Sequence, residues 1–255
     1  MTLAVLLPYI MLGAFILFAY TAEAMTGFGS IVIALSLGAL FFPIDFLQTV
    51  LVPLNICMSS FLTFKYRRYI DWTLLGKLIM PFMLGGTLLG FVLQPYLGGV
   101  ILKASFALLV LWFAVRELLK ARGGIVATEK PVWWSRGVIG MAGITHGLFA
   151  SGGPLLVYGL AGMSIDKARF RATLILVWFS LNSVLTVLFL IDGRIQANWQ
   201  PIVAFMPLLP LGVWIGERLH HKVDEDSFKL WIYRVLVLSA LALLLSSLMP
   251  LLPAL

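Results

Sequence analysis

Two short stretches decide how this chain is read: Ala24-Met25-Thr26-Gly27-Phe28-Gly29-Ser30 and Ala150-Ser151-Gly152-Gly153-Pro154. Each is a small, glycine-containing break between a long apolar run and an unusually short one. Each lies at a corresponding place in one half of the 255 residues. In membrane proteins, paired interrupted segments of this kind point to a substrate site.

The surrounding composition places the breaks in a bilayer. Hydrophobic residues make up 61% of the chain and charged residues 11%, with a mean hydropathy of +1.03. So few charges cannot cover the apolar surface of a soluble domain, so the chain reads as a polytopic, all-α membrane protein. At about 20 residues per span the length allows about eight to ten crossings and leaves nothing for a separate soluble domain. The net charge of +7 has no basic domain to carry it, so no nucleic-acid partner is expected. The one cysteine, Cys57, excludes a disulfide framework and a thiolate metal cage. Neither metal nor cofactor is expected. The first residues lack the basic start of a signal peptide and read as a retained helix.

Outward from the first break, apolar runs cover about 3–22, 28–42, 46–64, 73–94 and 98–119. After a polar link they resume at about 133–149, 154–163, 172–191, 200–216 and 230–249. The domain reading is a first membrane repeat over 1–122, a cytoplasmic linker over 123–131 and a second repeat over 132–255. Gly86-x-x-x-Gly90 matches Gly212-x-x-x-Gly216 and Leu102-Lys103 matches Phe228-Lys229 at one offset, as an internal duplication requires.

Charge sets the relative orientation. Sixteen of the 18 Lys and Arg fall in or beside four regions, Lys65 to Lys77, Arg116 to Arg136, Lys167 to Arg171 and Arg218 to Arg234. The positive-inside rule makes these cytoplasmic, leaving Lys103 and Arg194 near the outer ends. The expected architecture is therefore two inverted repeats, each a glycine-tipped hairpin, re-entrant or spanning, plus three transmembrane helices, with both termini outside. The run 28–42 covers about 22 Å and 154–163 about 15 Å, short of the ~30 Å hydrocarbon core.

A helix beginning at each tip exposes unpaired N–H groups that favour an anion, and glycine lets a ligand approach that backbone. The expected substrate-binding set is Thr26, Gly27, Phe28, Gly29, Ser30, Asn55, His146, Ser151, Gly152, Gly153, Pro154 and Asn182. Pro154 suits a first helical turn, where its missing N–H is tolerated. The alternative is that the glycines only permit close helix packing, and that Asn55 and Asn182, with Ser59, Ser60 and Ser183, only tie helices together. Glu23 and His146 are ionisable groups deep in apolar sequence and stand as candidates for proton coupling, or as hydrogen-bond partners within the fold. Arg169 and Arg171 either fix topology or attract cytoplasmic anions. The two Gly-x-x-x-Gly pairs read as packing faces. No nucleotide-binding, zinc-protease or serine-hydrolase pattern is present, so no catalytic residue and no enzymatic activity is expected.

The sequence resembles the TauE/SafE family of membrane permeases, the sulfite and organosulfonate exporters. The likeness rests on Thr26-Gly27-Phe28-Gly29, on Gly147-Leu148-Phe149-Ala150-Ser151-Gly152-Gly153-Pro154 and on Ile165-Asp166-Lys167-Ala168-Arg169-Phe170-Arg171-Ala172-Thr173. It implies a secondary transporter of the bacterial inner membrane that exports a small sulfur-containing anion. An anion channel, or a permease for another small metabolite, is the alternative. The partners expected are the substrate anion, the bilayer and a second copy of the chain in a homodimer.

Overall fold

The computed structural model describes residues 3–26, 29–123, 131–161, 163, 165–220 and 224–248. Gly27 and Phe28, both expected at the first tip, lie outside the described residues, as does most of the 123–131 link.

Among the described residues the fold is helical throughout. The first half comprises α1 (Leu3–Thr26), α2 (Ser30–Gly38), α3 (Ile44–Tyr66), α4 (Trp72–Tyr96) and α5 (Gly99–Ala121). The second comprises α6 (Val132–Phe149), α7 (Gly153–Gly159), α8 (Lys167–Ile191), α9 (Trp199–Leu219) and α10 (Glu225–Leu248). Seven are long and apolar enough to cross a membrane: α1, α3, α4, α5, α8, α9 and α10. The expectation of eight to ten full crossings counted the short runs as well. Besides a four-residue turn of helix at Arg194–Ala197, the shortest helices are α2, with nine residues, and α7, with seven, about 13 and 10 Å of helix. The protein is a multi-pass membrane protein.

Local chemistry explains both short helices. α1 stops at Thr26, and Gly29 enters α2 at φ 101°, a left-handed conformation that a side chain resists. α6 stops at Phe149 because Ala150 turns left-handed at φ 52° while its N–H still bonds His146 O at 2.6 Å. Ala150 is the one non-glycine residue at positive φ among the described residues, a strained position at the second break. Asp166 then caps α8, accepting the N–H groups of Ala168 and Arg169.

Helix pairing follows one rule. α1 runs along α9 and α4 along α6, α3 packs on α8, and α5 on α10. Exchanging the halves, α1 for α6 and so on, maps this set of pairs onto itself. The α4–α6 seam is backbone against backbone. A Cβ on Gly86 would stand 2.3 Å from Gly140 O, and one on Gly147 would stand 2.2 Å from Thr87 O. In the α1–α9 seam a Cβ on Gly216 would meet Ala24 Cβ at 2.6 Å. Both Gly-x-x-x-Gly pairs are packing faces, and small residues there let helices touch where lipid supplies no hydrophobic drive.

The ends sort as the charges do. Lys65 pairs with Glu217, and Thr173 Oγ1 accepts Asp71 N–H at 2.9 Å. At the other end Asp45, Gln94 and Arg194 gather. Exposed Trp72, Trp112, Trp133, Trp199, Trp214 and Trp231 suit interfacial or lipid-facing positions.

Candidate functional site

The site begins with Glu23, three residues before α1 ends and 1% exposed. Its Oε2 accepts Asn55 Nδ2 at 3.0 Å, and Ser30, the first residue of α2, adds its hydroxyl and its backbone N–H. The start of α2 is thus met by the chain's own carboxylate. A helix N-terminus favours negative charge, and here the fold supplies that charge itself.

Asn55 links the halves. Its Nδ2 also donates to Ser30 Oγ at 3.0 Å, so both amide hydrogens are used, and its Oδ1 accepts Asn182 Nδ2 at 2.7 Å. Pro53, two residues earlier, has no N–H and breaks one rung of α3 beside this point. Asn55 and Asn182 are 2% and 1% exposed, and paired they satisfy amides that would be costly alone in an apolar interior.

Between the breaks lies a cavity of about 50 Å³. From the first half it takes Glu23, Thr26, Gly29, Ser30 and Asn55, and from the second Ala150, Ser151, Gly153, Pro154, Trp178 and Asn182. Ile31 to Ile33, Phe113, Ile232, Tyr233 and Leu236 supply apolar wall, and Lys229 lines it from the first turns of α10. Ordinarily the large majority of buried polar atoms have a partner. Here Glu23 Oε1, Ser151 Oγ, Trp178 Nε1 and Asn182 Oδ1 are buried without one. Four such atoms on the residues of one cavity make it the candidate site.

Nine expected residues line this cavity or bond its lining directly: Thr26, Gly29, Ser30, Asn55, Ser151, Gly153, Pro154, Asn182 and Glu23. Two take other places. Gly152 is a packing residue, since a Cβ there would lie 2.3 Å from Ala142 O. His146 is fully buried behind Trp178, ring against ring at 5.8 Å, and is not part of the lining. The Asn182 carboxamide is in electrostatic reach of the His146 ring, while neither ring nitrogen meets hydrogen-bond geometry. Ser59, Ser60 and Ser183 bond carbonyls of their own helices. Arg169 is exposed, whereas Arg171 donates from Nη2 to Ala24 O at 2.8 Å and stacks over Tyr66. Arg171 therefore ties α8 to the end of α1.

Sequence reasoning missed Trp178 and Lys229. Trp178 sits four residues before Asn182, one turn along the same face of α8, and that spacing was the available signal. Lys229 was visible only as the repeat partner of Lys103.

On the far side of the second break is a closed polar cluster. Leu148 O accepts Gln48 Nε2 at 2.9 Å and Gln94 Nε2 at 3.2 Å. Gln94 also bonds Gln48, donates to Asp45 at 3.1 Å and accepts Arg194 Nη1 at 3.0 Å. Gln48 and Gln94 are 0% and 3% exposed, and beyond them opens a second cavity of about 420 Å³. No cluster of His, Cys, Asp and Glu suited to a metal occurs among the described residues.

A family profile described as sulfite exporter TauE/SafE matches residues 12–243. The chain belongs to that family. The TauE/SafE match spans both breaks and nearly all the described helices. A probable inner membrane transporter protein TsaS from Comamonas testosteroni is 25% identical over 178 residues, covering 69% of this chain and 73% of that protein. No solved structure matches. The TauE/SafE assignment makes this a membrane transport protein.

Proposed function

We propose that this protein is a secondary transporter that exports a small sulfur oxyanion, sulfite or an organosulfonate, across the bacterial inner membrane by alternating access. The observation that carries the reading is that both breaks, one from each half, line a single cavity holding unpartnered Ser151 and Trp178 donors. The family and the inner membrane transporter of Comamonas testosteroni support the transport class. The exchange symmetry of the helix pairs supports two repeats, and the placement of Lys and Arg supports their inversion, with both termini on the outer side.

α7 is too short for its dipole to be counted and the start of α2 already holds Glu23. The anion is therefore held chiefly by Ser151, Trp178 and the nearby charge of Lys229. An inside-negative potential drives a monoanion outward by about 2.3 kcal/mol per 100 mV, so export of a monoanion needs no second ion. The buried Gln48–Gln94–Leu148 cluster blocks one approach to the second break, which favours alternating access over an open pore.

The test is binding and flux with purified protein. Thermal shift with sulfite, simple sulfonates, sulfate and a cation control gives the ligand class, and flux into proteoliposomes should saturate with concentration. A linear, unsaturable flux would replace the transporter by a channel. No shift with any anion would remove the site reading.

A further inference from the structure

The open valences around the cavity are not all of one kind. Trp178 Nε1 is a donor only, and Ser151 Oγ–H can donate, as an oxyanion requires. Glu23 Oε1 can only accept when ionised, and it too is 1% exposed and without a partner.

The carboxylate fixes a second acceptor at a distance. Because Glu23 Oε2 takes Asn55 Nδ2, Asn55 must turn its Oδ1 toward Asn182. Asn182 then has to present Nδ2 to Asn55, which leaves Oδ1, on a residue that lines the cavity and reaches the His146 ring, without a partner in hydrogen-bond geometry. The relay Glu23–Asn55–Asn182 thus gives the cavity an accepting wall as well as a donating one.

A plain oxyanion answers only the donating wall, and with Glu23 ionised it would approach a buried carboxylate of its own sign. From this arrangement we infer that the preferred ligand is amphoteric: a small zwitterion whose oxyanion meets Ser151 and Trp178 and whose ammonium faces Glu23 Oε1 and Asn182 Oδ1. Glu23 is then the residue that selects amino-bearing anions. The inference rests on the cavity being the substrate site, as proposed above.

The experiment is equilibrium binding of two isosteric pairs to the purified full chain: 2-aminoethanesulfonate with propane-1-sulfonate, and β-alanine with butyrate. Within each pair an ammonium replaces a methyl group and little else changes. The expected result is a preference for 2-aminoethanesulfonate of roughly ten- to a hundredfold, the scale of one charge-assisted hydrogen bond. That preference collapses in Glu23→Gln and is partly restored in Glu23→Asp. Equal affinity within the sulfonate pair overturns the inference, with the unmodified protein alone sufficing. A preference that persists unchanged in Glu23→Gln overturns the role of Glu23. Binding of sulfite or propane-1-sulfonate with no gain from the amino group leaves the transport reading standing and sinks this one. Glu23-dependent preference for β-alanine over butyrate, with neither sulfonate bound, keeps the amphoteric ligand and removes the sulfur-anion reading. Absence of binding by every probe overturns both.

Discussion

At the scale of single residues, Trp178 separates two jobs in one side chain. Its ring covers His146, its indole N–H has no hydrogen-bond partner, and the residue lines the cavity. Trp178→Phe keeps most of the stacking and removes the donor. A hydrogen bond to a charged group contributes about 1.5–3 kcal/mol, so anion affinity should fall roughly ten- to a hundredfold while thermal stability moves little. Titration calorimetry beside a melting curve separates the two readouts, and unchanged affinity would remove the indole from the site. Gly29 offers a different test. At φ 101° an added methyl costs about 1–2 kcal/mol even though a Cβ there has an open surrounding, its nearest atom at 3.9 Å. Gly29→Ala should therefore lower the melting temperature, in contrast to Gly85→Ala, where nothing lies within 4 Å and helix propensity improves.

At the scale of elements, the two seams make the sharpest stability forecast. Gly147→Val pushes a branched side chain into Thr87 O and the Phe91 backbone, which no rotamer of a neighbour can relieve. The loss should exceed the usual 1–3 kcal/mol of an overpacked core and show as absence of a monodisperse peak in size-exclusion chromatography. These seams were readable in the sequence because Gly-x-x-x-Gly spacing is itself the geometry of close helix approach. The breaks were readable for a related reason: at membrane depth, glycine beside a shortened apolar run marks irregular backbone that must be buried in protein or line a cavity. What each glycine does was not readable. Gly152 and Gly153 are adjacent, yet one is pressed on Ala142 O and the other faces the cavity, a difference of helix phase that spacing cannot set. His146 was put in the binding set for the same reason, since its burial was legible and the direction of its ring was not. Asn55 and Asn182 were found because a buried amide in an apolar run is conspicuous. Trp178 is one of eight tryptophans, and most described ones face outward, so its type carried no warning.

At the scale of the whole molecule, the Gln48–Gln94–Leu148 cluster and its Arg194 partner lie between the second break and the larger cavity. Gln94→Ala removes bonds to Leu148, Asp45, Gln48 and Arg194 at once. In a background with Cys57→Ser, a cysteine at Ser151 should react with a membrane-impermeant thiol reagent from the outer face only after Gln94→Ala. Labelling from that face in the parent would show the path already open and would cancel the gate reading. Transport should saturate at a lower rate in the Gln94 variant if closure of this cluster is part of the cycle.

The pairing of α1 with α9 has a further consequence, which concerns the order of assembly. α4 and α6 are separated by the 35 residues between Tyr96 and Val132, so their seam can close soon after both are made. α1 and α9 are separated by the 172 residues between Thr26 and Trp199. At synthesis rates of about 5–20 residues per second, α1 waits roughly nine to thirty-four seconds in the bilayer for its partner. Its Glu23 is sheltered meanwhile, since Ser30 and Asn55 emerge almost at once, but its flank against Gly212 and Gly216 is not. The nascent first half is therefore the form of this protein most open to quality-control proteases, and a chain ended after Ala197 should be cleared from the membrane rather than accumulate.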